Sequence, residues 1–293
     1  ILYDIVLTPN QNLNIDTKIM VGDLSEEHQA EKISNLMPDV IFHLASIVSG
    51  EAEANFSKGW DSNAKGTWKL IDLLRKKNEE NSGNYIPKII FTSSIAVFGP
   101  PFPLKIDDSF LCSPQTSYGS QKAMLELILN DYTRKGFINA ISIRLPTICV
   151  RPGKPNLAAS SFFSGIIREP ISGKEAILPV SKDVRHWHAS PRSAAGFLLH
   201  AFNIELNLLG TRRAINMPGV SCTVEEQIES LRSICGGDVI KLIREVEDEK
   251  IKSIVSGWPR DFDPKRAIEL GFSCEKSFKE IIEVYLRDDF KTK

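Results

Sequence analysis

The chain has 293 residues, 42% hydrophobic and 25% charged, and its 36 Lys and Arg against 37 Asp and Glu leave a net charge of −1. That balance excludes a global field that would recruit nucleic acid or an anionic membrane, so an anionic ligand must be met by local basic residues. The length suits one large α/β domain, or a domain with a smaller lobe, and no apolar run nears the roughly 18 residues of a membrane span.

Short apolar runs alternate with helix-patterned stretches, which predicts a parallel sheet with crossover helices. Residues 1–7 and 19–21 read as strands, 26–35 as a helix and 40–44 as a third, buried strand. Residues 60–77 form a helix whose apolar stripe is Trp68, Leu70, Ile71 and Leu74. A fourth strand over 88–92, a long helix over 115–135 and a fifth strand over 140–144 follow. After Val150 the texture changes. Arg151-Pro152-Gly153-Lys154-Pro155-Asn156 reads as a loop, then a short helix (160–168) and a short strand (176–180). Ser190-Pro191 opens a helix into 194–202. Thr223 with Glu226, and Ser277 with Glu280, have capping-box spacing, and Asp263-Pro264 opens a short helix that Gly271 ends. The expected division is a nucleotide-binding domain over 1–150, with 190–217 packing back onto it, and a smaller C-terminal substrate-binding lobe over 151–189 and 218–293.

The cysteines (Cys112, Cys149, Cys222, Cys235, Cys274) are far apart, odd in number and without CxxC spacing. Free thiols in a reducing, cytoplasmic setting fit better than a disulfide framework or zinc knuckle, and no signal peptide is visible. His186 and His188 share a face if their stretch is a strand, but no third ligand of suitable type stands nearby, so no metal is expected.

Two segments carry chemistry. In Tyr118-Gly119-Ser120-Gln121-Lys122 the tyrosine and lysine are one helical turn apart, so the ammonium can sit beside the phenol. A neighbouring positive charge is expected to draw the phenol pKa from about 10 towards neutrality, as an acid/base for alcohol–carbonyl interconversion requires. In Phe91-Thr92-Ser93-Ser94 an apolar strand runs into hydroxyls, at the carboxyl end where open α/β sheets bind ligands. Taken alone, each has a bland reading, a surface i,i+4 pair or a capped strand end. Together, about two dozen residues apart, they are far more specific.

This combination resembles the extended short-chain dehydrogenase/reductases, which include the sugar-nucleotide epimerases, and the resemblance implies a Rossmann-like doubly wound fold. Gly22-Asp23-Leu24 resembles the segment that contacts the adenine, and His43-Leu44-Ala45-Ser46 the strand end along the dinucleotide. Asn63-Ala64-Lys65-Gly66-Thr67 resembles the helix whose asparagine braces the active site, and Arg144-Leu145-Pro146 the strand reaching the nicotinamide side. The resemblance implies that Ser94 orients the substrate oxygen and Tyr118 moves the proton. It gives Lys122 two tasks, lowering the tyrosine pKa and holding the nicotinamide ribose. Asp4, at a strand end, would accept from the adenosine ribose hydroxyls and favour NAD over NADP. The glycine-rich turn expected between a first strand and first helix is absent, and the chain opens without methionine. Some 30 residues, about one βα unit, are therefore expected upstream.

The substrate signals diverge from the epimerases. Thr147 stands where they usually carry asparagine, and Arg185-His186-Trp187-His188 keeps an arginine without the usual acidic positions. With Arg151–Asn156 and Phe162–Pro170, these segments resemble the subgroup acting on four-carbon sugar acids, the D-erythronate dehydrogenases. That resemblance implies NAD-linked oxidation of a hydroxyl beside a carboxylate to a 2-oxo acid, with Thr147, Lys154 and Arg185 among the substrate contacts. A small anion wants such an arginine fork or lysine. Two alternatives stay open, a nucleotide-sugar epimerase and a non-catalytic NAD-binding protein. Relatives commonly dimerise through two long helices, here 60–77 and 115–135.

Overall fold

The computed structural model describes residues 1–6, 16–153 and 158–290. Strand β1 (Leu2–Asp4) pairs in parallel with β2 (Ile19–Val21), and α1 (Glu27–Asn35) follows. Strand β3 (Val40–His43) leads through α2 (Ser49–Ala54) and α3 (Phe56–Gly59) into a π-helical stretch over Trp60–Gly66, which continues as α4 (Thr67–Glu80). Strand β4 (Lys88–Ser94), the short β5 (Ile106–Asp107), α5 (Ser117–Arg134), β6 (Asn139–Leu145) and β7 (Thr147–Ile148) complete the first half.

The second half runs α6 (Ser161–Ile171), β8 (Ala176–Leu178), β9 (Arg185–Ala189), α7 (Pro191–Asn203), β10 (Ala214–Asn216) and β11 (Val220–Thr223). It closes with α8 (Val224–Cys235), α9 (Gly237–Ile240), β12 (Ile243–Glu245), α10 (Glu249–Ser256), β13 (Phe262–Asp263), α11 (Lys265–Glu269) and α12 (Phe278–Asp288).

The central sheet is parallel in the order β10-β6-β4-β3. Its strands alternate with helices because apolar residues on both faces need cover: Leu74, Phe91, Leu125 and Leu129 pack on one side, Ile90, Ile143, Phe197 and Ile215 on the other. Strands β1 and β2 form a separate pair rather than part of one continuous sheet, and the edge at β3 leaves Phe42 and Leu44 exposed. A second core, built on Phe163, Ile166, Leu178, Ile228, Leu231 and Ile281, fills the lobe made by α6, α8 and α12. Helix α7 and strand β10, although late in sequence, pack with the central sheet.

Local chemistry explains most of the punctuation. Thr223 and Glu226 make the reciprocal capping box, and Ser190 caps α7 ahead of Pro191. At α12 the box is only half made, because Ser277 accepts from the Glu280 amide while the Glu280 carboxylate takes the Lys276 amide instead. Helices α2 and α3 and the π stretch were not foreseen. Ser49–Gly59 carries no sustained apolar period, and a π turn has no sequence period of its own.

Candidate active site

Four elements converge at the carboxyl end of β4. Ser94 ends that strand and its Oγ accepts the Ala96 amide at 3.1 Å, starting the turn that follows. Helix α5 starts at Thr116, whose hydroxyl accepts the Gly119 amide at 3.1 Å. It lies against that turn so closely that a Cβ on Gly119 would come within 2.1 Å of the Ala96 carbonyl oxygen. Only glycine lets the helix approach this near, and Tyr118 thereby faces Ser94.

The Tyr118 phenol feels the hydroxyls of Ser46 and Ser94, both of which pull its pKa down, but enclosure outweighs them and pushes it up to about 12. The expected fall towards neutrality is thus not found in the protein by itself. The physical reason is desolvation of the phenolate, together with the position of Lys122. The ammonium lies 5.6 Å from the Tyr118 ring centroid and donates to the Thr92 carbonyl at 2.8 Å. It also sits 4.6 Å over the Phe91 ring. Lys122 is 2% exposed, and burial draws its pKa down to about 7, with Glu126 acting the other way. A lysine poised there changes charge in the physiological range.

Asn63 joins the loop after β3 to α5 through its side-chain amide. Its Oδ1 accepts the Ile47 amide at 2.7 Å and the Ser46 hydroxyl at 3.1 Å, while Nδ2 donates to the Ile47 carbonyl at 3.1 Å and to Gln121 Oε1 at 2.8 Å. The loop after β3 is therefore tied to α5, which places Ser46 beside Tyr118. Ser46 and Gln121 were not singled out in the sequence, although Ser46 belongs to the strand-end motif and Gln121 lies inside the tyrosine–lysine segment.

Deeper in, Glu126 is clamped by Arg144 at 2.7 to 3.2 Å and accepts from the Ser93 hydroxyl at 2.5 Å. Arg144 also donates to Asn216 Oδ1 at 3.2 Å and Cys112 Sγ at 3.1 Å. Sequence reading missed Glu126; its signal was the repeat of four that continues from Tyr118 through Lys122.

On the lobe side, Thr147 and His186 are 2.7 Å apart, and His186 Nδ1 lies 2.9 Å from the Pro259 carbonyl. A carbonyl only accepts, so Nδ1 carries the proton and Nε2 accepts from Thr147. His188 contacts Gln227 at 3.0 Å, and burial holds both histidines neutral, His186 at about 4. The two rings are thus hydrogen-bonded core members beside Phe163 and Phe278. Arg185 is paired with Glu226 at 3.2 Å and donates to the Ser221 carbonyl. Lys154 lies outside the described residues. A cavity of about 780 Å³ opens between α2 and the lobe, with Glu53, Phe162, Glu169 and Ile251 in its wall.

The sheet order, the strand-end serine and Tyr118 one turn from the buried Lys122 define the class, an enzyme of the extended short-chain dehydrogenase/reductase type. Residues 4–214 match the NAD dependent epimerase/dehydratase family, and the chain belongs to it. Its cofactor is therefore NAD. D-erythronate dehydrogenase of Cupriavidus necator is 40% identical over 283 residues, spanning 97% of this chain and 86% of that protein. The D-erythronate dehydrogenase of Haemophilus influenzae is 42% identical over 253 residues, spanning 86% and 78%. The crystal structure of the nucleoside-diphosphate-sugar epimerase from Agrobacterium tumefaciens shares 53% identity and superposes with a TM-score of 0.91 over 96% of this chain and 82% of that one. The L-threonine 3-dehydrogenase of Trypanosoma brucei, at 22% identity and a TM-score of 0.84, shares the fold.

The donor set fits such a dinucleotide at its two ends. Lys122 uses one N–H on Thr92, and two remain for ribose hydroxyls. Asp4 is exposed at the end of β1, and Leu44 and Ala45 are exposed just beyond β3. Asp23 accepts the Ser25 amide, Leu24 is buried beneath it, and Pro146 is buried next to Thr147. Among the described residues no helix is long and apolar enough to cross a membrane.

Proposed function

We propose that this protein oxidises a small sugar acid, a D-erythronate-like 2-hydroxy acid, to the 2-oxo acid. The observation that carries the reading is the buried Lys122 beside Tyr118, at the carboxyl end of the strand that delivers Ser94. The names of the two relatives at 40% and 42% identity supply the substrate class.

Bound NAD supplies the acceptor for the hydride leaving the substrate carbon. The chain's own residues handle the proton and the geometry. Ser94 donates to the substrate oxygen and holds it against Tyr118, whose phenolate takes the hydroxyl proton. Lys122, as an ammonium, eases formation of that phenolate and offers its free N–H groups to the ribose. Asn63 keeps the loop of Ser46 in place. Asp4, Asp23, Leu24, Leu44, Ala45 and Pro146 would line the cofactor, Asp4 selecting NAD over NADP. Thr147, with its proton turned to His186, presents lone pairs that suit a substrate hydroxyl. Lys154 and Arg185 would meet the carboxylate, Arg185 by exchanging its Glu226 partner. In this scheme residues 1–150 with 190–217 carry NAD, and 151–189 with 218–293 form the substrate lobe. The enzyme works as a homodimer in the cytoplasm.

A second reading, nucleotide-sugar epimerisation, is favoured by the 53% identical Agrobacterium tumefaciens structure. An absorbance screen for NADH over C4 and C5 aldonic acids, run beside UDP-sugars, separates the two. Net NADH from an aldonic acid is expected. Sugar interconversion without NADH release would replace this reading with the epimerase.

A further inference from the structure

The Thr147 hydroxyl and the His186 ring are 2.7 Å apart, and the groups behind the ring fix the direction of the hydrogen bond between them. We propose that His186 is a positioning residue for substrate choice. It makes the Thr147 hydroxyl an acceptor only, and so selects an acid that carries a second hydroxyl on the carbon next to the one oxidised. The proposal rests on the sugar-acid reading above and deepens it.

The direction follows from the ring. His186 Nδ1 lies 2.9 Å from the Pro259 carbonyl, which can only accept, so Nδ1 carries the proton. In a neutral ring Nε2 is then bare, and the threonine must spend its one proton on it. A half-turn of the ring would put carbon atoms against both oxygens and forfeit both bonds. Packing holds the ring as it is. It stacks on Phe163 at 5.3 Å with the planes 6° apart, and meets Trp258 at 5.1 Å. Its strand, β9, pairs His186 in register with Cys222 of β11. A charge enclosed by these rings is costly, so the imidazole stays neutral, its pKa drawn down to about 4.

With that proton spent, two lone pairs remain on Thr147 Oγ1. The residue is half-buried, so they can be reached. Its place also suits a substrate held by Ser94. Ser94 pairs in register with Leu145 of β6, and Thr147 follows two residues later, at the start of β7. The two Cα atoms are thus at most about 12 Å apart, about 5 Å across the ladder and about 7 Å along the chain. Two side chains reaching inward, each with one hydrogen bond to a vicinal diol, cover a gap of that order. A hydroxyl at this point gives Thr147 the proton it lacks. A keto oxygen or a carboxylate would set acceptor against acceptor, so the acid end of the substrate is turned away from this edge.

The test uses the full chain and two substrates, D-erythronate and its analogue with fluorine in place of the 3-hydroxyl. Fluorine is of similar size and has no proton to give. The readout is the ratio of their kcat/KM values, in which any loss of folded protein cancels, compared between variants. Thr147→Val should lower the preference for D-erythronate by about 10- to 100-fold, the worth of an acceptor left without its donor, and Thr147→Ser should keep it. His186→Phe fits the aromatic slot but accepts no proton. Freed, the Thr147 hydroxyl can turn towards fluorine, and the preference should fall in the same direction by a smaller factor. His186→Gln can accept from Thr147 and donate to Pro259, and should restore most of it. A preference unmoved by Thr147→Val or by His186→Phe overturns the proposal. A second measurement needs no turnover. ¹⁵N spectra of the histidine rings at neutral pH, assigned with His186→Gln, should show His186 protonated on Nδ1 and bare on Nε2. A proton on Nε2 would free Thr147 to donate and overturn the proposal. NADH from neither acid defeats the sugar-acid reading instead, while the spectra still decide the direction of the hydrogen bond.

Discussion

The molecule contains two buried polar clusters that solve the same problem in opposite ways. Beneath the sheet edge, Glu126 and Arg144 keep charge out of water by pairing it, with Lys122 buried one turn earlier on α5. In the lobe, His186, His188 and Gln227 sit among Phe163 and Phe278 and stay neutral. Keeping ions buried costs far more than keeping neutral dipoles buried, so it is tolerated where charge must change during a reaction. Neutral hydrogen-bonded groups orient neighbours and hold shape. In the function proposed above the first cluster carries the chemistry, while in the second His186 holds the Thr147 hydroxyl.

The largest effect that would sharpen this contrast belongs to Tyr118. Tyr118→Phe should lower turnover by about 10²- to 10⁴-fold, the usual worth of a positioned acid/base, while NAD affinity measured by fluorescence stays nearly unchanged. Turnover close to wild type would remove Tyr118 from the mechanism. Next comes Arg144→Met, which leaves Glu126 buried without its partner. Urea unfolding should report a loss of about 3–5 kcal/mol, the range for breaking a buried ion pair from one side. A loss under about 1 kcal/mol would mean the pair behaves as an exposed one.

The smallest effect concerns the lobe and appears only in acid. His186 and His188 have folded pKa values depressed below 6.5 by burial. Between about 4 and 6.5 the unfolded chain therefore binds more protons than the folded one, so stability rises with pH across that window and falls on acidification. Replacing His186 by Gln should remove about one proton from the slope there, roughly 1.4 kcal/mol per pH unit. An unchanged slope would show that His186 is protonated in the folded protein.

The proposed catalytic frame is readable in the sequence because its signals are local. An apolar run ending in hydroxyls, and a tyrosine four residues before a lysine, follow from strand and helix periods. Helix α5, expected over 115–135, spans Ser117–Arg134, with Thr116 as its cap. What stayed hidden is non-local or cooperative. The Glu126–Arg144 pair joins a helix to a strand across 18 positions, and its partners Ser93, Asn216 and Cys112 come from three more segments. The direction of the Tyr118 shift was also misjudged, since desolvation depends on the surrounding packing, which no spacing rule reports. Arg185 looked free for a substrate carboxylate, yet it pairs with Glu226, the residue that also completes the cap on α8.

The claim on which all of this stands is that a substrate hydroxyl gives its proton to Tyr118 as its carbon gives hydride to NAD. Incubation of the protein with NAD and C2-deuterated D-erythronate tests it most directly. The account predicts NADH that carries the deuterium, together with an equivalent of 2-oxo acid. An aldonate recovered intact with its deuterium and no NADH formed, under conditions where NAD is bound, would contradict it.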